Sequence, residues 1–454
     1  MTRIPSGDEI ARLGYEQDPI GRDVTPGGSA DVVVIGGGIM GVAAAYFLAS
    51  RGVAVTLLEK GWIAGEQSGR NWGWVRQQNR DLDELPLMVE SNRMWQGLES
   101  QLGADIEWTQ KGNLSVTRDP ARMAFFSDWL DVAGAHGLDS RLFGPSDIRS
   151  ILPSLAGDWL GAIYTPSDGH AEPAKATRAF ARAAQRHGAT IVEGVAVDRI
   201  VVDAGRVVAV ATERGPIRTN RVVCTAGVWS ARLLRAIGVD LPIRIVRSTV
   251  ASTSAVPPIT ATGVGHHPIV SFRQRRDGTL YIAAGGWSDY DITLESLRHL
   301  RYFLPNYLKN RKLIRIHVGR PLAADVRRIL TPWSADKTPW RSQRVLSPVP
   351  SGQKVRMSVA EFRRMFPESN VEVAHSWAGY TDTTPDAVPV IDSLDKPFGL
   401  TIATGFSGHG FGMGPIVGRL IAEQIVEGRS SLDIEPFRLS RFADGTFAKP
   451  RLVA

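Results

Sequence analysis

Apolar and polar positions follow two different periods along this chain, and the switches between them mark its elements. Val32, Val33, Val34 and Ile35 form an unbroken apolar run, the pattern of a strand buried on both faces. An Ala-rich helical stretch follows, then a second apolar run from Val53 to Leu58 that ends on Glu59. Farther on, Leu85, Met88, Val89, Met94, Trp95, Leu98 and Leu102 recur at helical spacing and predict a helix over 85–102. The same reasoning predicts helices over 123–136, 146–152, 174–187, 297–309, 358–366 and 415–427. Strands are predicted over 112–117, 162–165, 190–193, 197–202, 207–212, 221–225, 371–378 and 400–403. More strands lie within 261–287, with turns at Ala204-Gly205 and Arg276-Asp277-Gly278. The stretch after Glu59, GWIAGEQSGRNWGWVRQQNRD, is too rich in Gly, Trp and Arg for a regular element and reads as a loop lining something. Helix and strand alternate early and antiparallel character comes later, so the expected fold class is α/β with a mixed or antiparallel second part.

Composition narrows this. At 454 residues the chain has room for two or three domains. No apolar run reaches the ~18–20 residues of a membrane span. Residues 1–30 are polar and carry Gly and Pro, so a loosely held N-terminal arm without a secretory signal is expected. The single cysteine, Cys224, excludes an internal disulfide and a thiolate metal cluster, and suits a reducing cytoplasm. His266-His267 lack a third ligand at metal spacing, so no metal is expected. The net charge of +7 is modest, and no nucleic-acid module is present. The basic segment 309–344, with Trp333 and Trp340, reads either as a solvated face or as a patch docking on a membrane surface or partner.

The chemistry begins at residues 31–60, DVVVIGGGIMGVAAAYFLASRGVAVTLLEK. Strand, glycine turn, helix, strand and acid in that order form the dinucleotide-binding βαβ fingerprint; a glycine-rich turn with a packing role alone is the competing reading. Gly36 allows the tight turn, Gly38 admits a pyrophosphate to the backbone, and Gly41 lets helix and strand pack closely. The helix start at Ile39 and Met40 offers free N–H groups and a positive dipole to the anion. Glu59 is placed to accept from a ribose. A second glycine patch follows the strand at 400–403: GFSGHGFGMG, with Gly405, Gly408, Gly410, Gly412 and Gly414 just ahead of the closing helix. So many glycines mean that a flat or charged body approaches the backbone.

Four motifs then carry a resemblance that covers nearly all of 31–427. They are the Gly36–Gly41 turn with Glu59-Lys60, SGRNWGWVR, CTAGVWS, and SWAGYTDTTPDAVPVID with GFSGHGFGMG. The chain resembles the D-amino-acid oxidase, glycine oxidase and sarcosine oxidase family of FAD-dependent amine oxidoreductases. The resemblance implies a Rossmann-like FAD domain (31–110, 165–245 and 375–435) interleaved with a substrate domain on a mixed sheet (111–164 and 246–374), and a tail at 436–454. It implies FAD contacts at Gly36, Gly38, Ile39, Met40, Gly41, Glu59 and Lys60, and at Ser68, Gly69, Arg70, Asn71, Trp72 and Gly73. Further contacts are implied at Val197, Ala226, Gly227 and Trp229, and at Gly408, His409, Gly410, Phe411, Gly412 and Met413. Some relatives attach FAD covalently to a His of the N-terminal loop or a C-terminal Cys; neither stands here, so FAD is expected to be non-covalent.

Two positions depart from the family. A Lys that follows GFSGHGF in sarcosine-oxidase-like relatives is Gly412, and an Arg that follows SWAG-x in glycine-oxidase-like relatives is Thr381. Arg76 stands where sarcosine oxidases place a carboxylate-binding Arg; it reads as that clamp or as a surface arginine. Tyr380 lines the pocket or packs in the core. His409 donates toward the flavin or fills its turn. The implied chemistry is oxidation of the C–N bond of an amino acid or secondary amine carboxylate (sarcosine, iminodiacetate, D-amino-acid or opine type) by hydride transfer to flavin N5, the imine then hydrolysing. The electron acceptor is O₂, a quinone or a redox partner. A flavin dehydrogenase of a 2-hydroxy acid and a flavin subunit of a larger complex are the alternatives. The expected location is the cytoplasm, with peripheral contact at the inner face of the membrane as a variant.

Overall fold

The computed structural model describes residues 18–267, 269–319, 322, 323, 326, 341 and 343–447. The four-residue run Val32–Ile35 is wholly buried because it lies inside a six-stranded sheet. Across that sheet the strands run Val390–Leu394, Leu400–Thr404, Val222–Cys224, Val32–Ile35, Val55–Glu59 and Thr190–Glu193. All pair in parallel except the hairpin that adds Val390–Leu394 at one edge. The helix Ile39–Ala49 is buried at every residue, which is why it reads as Ala-rich rather than amphipathic. It packs against the helices Pro173–Arg186 and Gly410–Glu427. A Cβ at Gly418 would lie 2.6 Å from the backbone of Ala43, so that crossing depends on glycine. The other face of the sheet buries Val33, Ile35, Leu58, Val192 and Leu234.

A second, ten-stranded sheet is mixed. Its path runs Ile314–His317, Ser288–Asp291, Arg244–Thr253, Leu280–Ala283, Val270–Gln274, Gly263–His266, Asn113–Thr117, Gly161–Thr165 and Arg141–Phe143, and Val373–Thr383 pairs with Arg244–Thr253. The helix Gly352–Met365 covers it, and Phe272 meets Phe362 edge-on with ring centroids 4.8 Å apart. A small three-stranded antiparallel sheet of Val197–Asp203, Arg206–Thr212 and Gly215–Arg218 completes the frame.

Several expectations shift. The strand expected at 371–378 runs over Val373–Thr383 instead and belongs to the second sheet. The closing helix begins at Gly410, five residues before Pro415, so the glycine patch forms its first turn. The helix expected at 358 begins at Gly352, where the Ser351 hydroxyl accepts from Lys354 N. Lys354 hides that start: its stem is buried and its ammonium pairs with Asp289 at 2.9 Å. The described part of the N-terminal arm is docked rather than loose. Ile20 and Gly21 donate their N–H groups to Glu193 at 3.1 Å, and Ile20 enters the core. Residues 1–17 and most of the basic segment 309–344, including Trp333 and Trp340, lie outside the described residues.

Candidate active site

The glycine turn is built as the fingerprint requires. Gly36 has φ +112°, and a Cβ there would sit 2.5 Å from Thr225 O. Gly38 is extended and gives the helix Ile39–Ala49 no side-chain cap; Ser68 Oγ accepts from Ile39 N at 2.8 Å instead. Glu59 ends its strand beneath the turn. One carboxylate oxygen accepts from Gly37 N and the other from Gly61 N, each at 2.7 Å. Burial nevertheless pushes its carboxyl up to about 7.

The loop after Glu59 is held from both sides. Arg70 donates Nε to Gly65 O and Nη1 to Ala378 O, both at 3.0 Å, and Trp377 Nε1 donates back to Arg70 O at 2.9 Å. The loop is thereby stapled to the strand Val373–Thr383, whose end meets the second glycine patch. Asp382, fully buried, accepts from Thr404 Oγ1 at 2.8 Å and Gly405 N at 2.7 Å. The two glycine segments, more than 350 positions apart, therefore line one elongated cavity of about 450 Å³. That volume is in the range of small-molecule sites.

At the far end of the cavity stand Arg76, Arg80, Arg122, His267 and Tyr380. Arg80 donates Nε to Arg76 O at 2.9 Å. The Arg76 guanidinium carbon lies 6.0 Å from the Trp74 ring centroid. Burial, and then the neighbouring Arg80 charge, disfavour its cationic form. Burial likewise lowers His267 to about 4. Behind the wall, His409 Nδ1 meets Glu84 Oε2 at 3.0 Å, and burial keeps this imidazole below the usual histidine range.

A family model described as FAD dependent oxidoreductase (DAO) matches residues 31–424. The chain belongs to this family. Sarcosine oxidase subunit beta of Arthrobacter sp. is 25% identical over 430 residues, 92% of this chain and 93% of that protein. The mitochondrial sarcosine dehydrogenase of Mus musculus is 33% identical over 223 residues, 47% of this chain and 24% of that protein. The chain spans less than half the length of the mitochondrial dehydrogenases it matches. Among solved structures, L-amino acid deaminase from Proteus myxofaciens in complex with anthranilate superposes with TM-score 0.87 at 27% identity, covering 93% of this chain and 95% of that one.

The residues present fit an FAD of this family: a bare glycine cradle, an acid beneath it and a second glycine wall opposite. Of the expected cofactor residues, Gly36, Gly38, Ile39, Met40, Glu59, Lys60, Ser68, Arg70, Asn71, Trp72, Val197, Ala226, Gly227, Trp229, Gly408, His409, Gly410 and Phe411 line the cavity, as do Arg76 and Tyr380. Five stand behind its wall. Gly41, Gly69 and Gly73 are close-packing glycines whose Cβ would strike Gly36 O, Ala64 O and Ala171 O at 2.0–2.2 Å. Gly412 faces Met88, its carbonyl accepting from Ser91 Oγ and Trp95 Nε1, and Met413 is buried in the core. The helix therefore turns these last two away from the ring end. Trp74, Asn79 and Arg80, from the loop read as lining something, also line the cavity, as do Arg122 and His267, which were not foreseen. The spacing of Arg76 and Arg80 was the one available signal; nothing local brings residue 122 or 267 to residue 76.

Proposed function

We propose that this flavoenzyme oxidises the C–N bond of an amino acid or secondary amine carboxylate of the sarcosine, iminodiacetate, D-amino-acid or opine type. The observation that carries the reading is Arg76: a half-buried guanidinium in the cavity wall with no ion-pair partner among the described residues. When bound, FAD supplies the two-electron acceptor for a hydride leaving the carbon beside nitrogen. Arg76 then holds the substrate carboxylate as a bidentate pair and fixes that carbon. His409, neutral in its buried place, gives Nδ1–H to Glu84 and keeps Nε2 as an acceptor, so it is suited to take the proton of a substrate ammonium. Trp72, Trp74 and Tyr380 exclude water from the same end. The imine product leaves for hydrolysis.

FAD is proposed to be non-covalent, because Cys224 lies outside the cavity wall, buried in its strand with its thiol pushed up to about 11. The helix Leu300–Asn310 exposes Leu300, Leu304 and Leu308 beside Arg301 and Lys309, and this favours peripheral docking on an anionic lipid surface at the cytoplasmic face, with a quinone or redox partner as acceptor. Anaerobic bleaching of the flavin across matched panels of amines and 2-hydroxy acids tests the reaction. Bleaching by hydroxy acids alone would refute the amine reading. Cosedimentation with vesicles containing an anionic lipid tests the docking; no cosedimentation refutes it.

A further inference from the structure

The substrate end of the cavity is more cationic than one carboxylate requires. Arg76, Arg80 and Arg122 line it, with the His267 imidazole, uncharged at neutral pH, beside them. The acids in the cavity wall are engaged elsewhere. Glu59 holds Gly37 and Gly61, Asp198 pairs with Arg341 at 2.8 Å, Glu66 lies 3.3 Å from Lys60, and Asp382 holds Thr404 and Gly405. The two acids behind this end are also engaged: Glu84 with His409, and Asp168 with Gln77 N at 2.8 Å and Gln78 N at 3.3 Å. Buried nitrogen atoms left without a hydrogen-bond partner gather here: Arg80 Nη1, Arg122 Nε and His267 Nε2. Native interiors leave few such atoms unpaired, and their concentration on one wall marks where a ligand's oxygens belong.

Arg122 stands apart from Arg76 in origin and support. It belongs to the first turn of the helix Pro120–Ala135, whereas Arg76 follows the short strand Trp74–Val75. Its guanidinium carbon sits 4.6 Å from the Phe125 ring centroid and 5.3 Å from that of Phe126. Aromatic faces at i+3 and i+4 hold the planar fork and leave its edges for hydrogen bonding. A cation in the first turn of a helix is opposed by the macrodipole, so helix stability does not account for it. We infer that Arg122 binds a second carboxylate, and that the substrate is an amine bearing two carboxylates: an N-carboxyalkyl amino acid or an amino diacid. This rests on the amine-carboxylate reading above. In it, Arg76 holds the carboxylate beside the reacting carbon, Arg122 holds the distal one, and Arg80 and His267 complete the anion-binding wall between them.

The test uses two non-reacting acids of similar shape, thiodiacetate and (methylthio)acetate, titrated into the FAD-loaded enzyme while the visible flavin spectrum is followed. Thiodiacetate is expected to bind about ten- to a hundredfold more tightly than the monoacid. Arg122→Met should abolish that preference while leaving (methylthio)acetate affinity within a factor of about two, and Arg122→Lys should keep part of it. Equal FAD content in the variants shows that the fold is intact. Equal binding of the two acids by the wild type, or a preference that survives Arg122→Met, overturns the second subsite and leaves the amine-carboxylate reading standing. If neither acid perturbs the spectrum or competes with a substrate, the carboxylate reading fails and this inference fails with it.

Discussion

The carboxylate of Glu84 and the imidazole of His409, 325 positions apart, meet at 3.0 Å behind the wall of the cavity. Glu84 immediately precedes the helix Leu85–Leu102, and His409 immediately precedes Gly410–Glu427, so the contact ties two helix starts together. Glu84 is fully buried, and burial holds the His409 imidazole below the usual histidine range. Glu84→Gln preserves the shape but removes the acid that favours the imidazolium. The variant should lose about 1.5–3 kcal/mol of stability, measured by thermal unfolding. Its kcat/KM should also reach its plateau at a lower pH than in the wild type, because His409 becomes still harder to protonate. An unchanged pH profile would remove His409 from proton handling.

Glu59 is expected to hold the adenosine ribose while it fixes the glycine turn through Gly37 N. Glu59→Ala should weaken FAD retention about ten- to a hundredfold, read from the flavin remaining after ultrafiltration. The main-chain link at Gly37 means that the turn also loosens, so Glu59→Gln should recover part of the loss. FAD affinity unchanged in Glu59→Ala would take this residue out of the site.

How far residues alone reveal such a site depends on how local the signal is. Val32–Ile35, the Gly36 turn and Glu59 declare themselves because strand, turn and acid adjoin in sequence. The helix 85–102 declares itself because only one of its faces is buried. The strand Arg244–Thr253 carries two arginines and four hydroxyl-bearing residues among its ten, and its long pairing with Val373–Thr383 is not written in either segment. Arg122 has no local mark beyond Phe125 and Phe126. Its place beside Arg76 follows from the register that sets Asn113–Thr117 next to Gly161–Thr165, which no period in the sequence encodes.

His170 gives a pH prediction of definite sign. Burial, followed by the charge of Arg273, lowers it from 6.5 to about 3, and its Nδ1 has no partner. Between those values the unfolded chain takes up a proton that the folded protein refuses. The histidine therefore makes stability rise with pH across that window, and lowers it as pH falls. Asp168, raised to about 6, and Glu59, raised to about 7, act in the opposite sense over their own windows. The comparison must therefore be between proteins. His170→Asn should raise the unfolding midpoint at pH 4.5 relative to that at pH 7, so the midpoint at pH 7 minus that at pH 4.5, taken with its sign, should be smaller than in the wild type. A wider or equal difference would contradict the assignment.

Gly412 separates two explanations of acceptor choice. The helix directs its Cβ position at Met88, whose methyl carbon would be 3.1 Å away, and not into the cavity. Gly412→Ala should be tolerated, since that methyl can yield and Ala gains about 0.5–1 kcal/mol over Gly inside a helix. Gly412→Lys should cost about 1–3 kcal/mol through overpacking and leave the rate of reoxidation by air unchanged. Faster reoxidation in Gly412→Lys, followed by stopped-flow absorbance, would show that a lysine here does reach the flavin.

Arg76 bears the sharpest prediction. Its main-chain carbonyl anchors Arg80 through a 2.9 Å hydrogen bond, so a substitution of the Arg76 side chain leaves its neighbour's anchor in place. Its half-buried side chain lines the cavity wall, and Thr381 stands where a glycine-oxidase-like arginine would share the load. Arg76→Ala should therefore raise KM for a monoacid amine substrate about ten- to a hundredfold, the loss of a charge-assisted bidentate pair. FAD content should remain at the wild-type level, because the glycine turn and Glu59 are untouched. Arg76→Lys should recover only part of the affinity, since an ammonium is a point charge and cannot match both carboxylate oxygens in one plane. The distal carboxylate assigned to Arg122 would keep a diacid bound, though off register. In Arg76→Ala the value of kcat should then fall with a diacid more than KM rises, whereas a monoacid amine should lose KM first. If KM for a monoacid amine stays within a factor of two, and kcat with a diacid is unchanged, Arg76 is not the clamp and the substrate carries no carboxylate beside its reacting carbon.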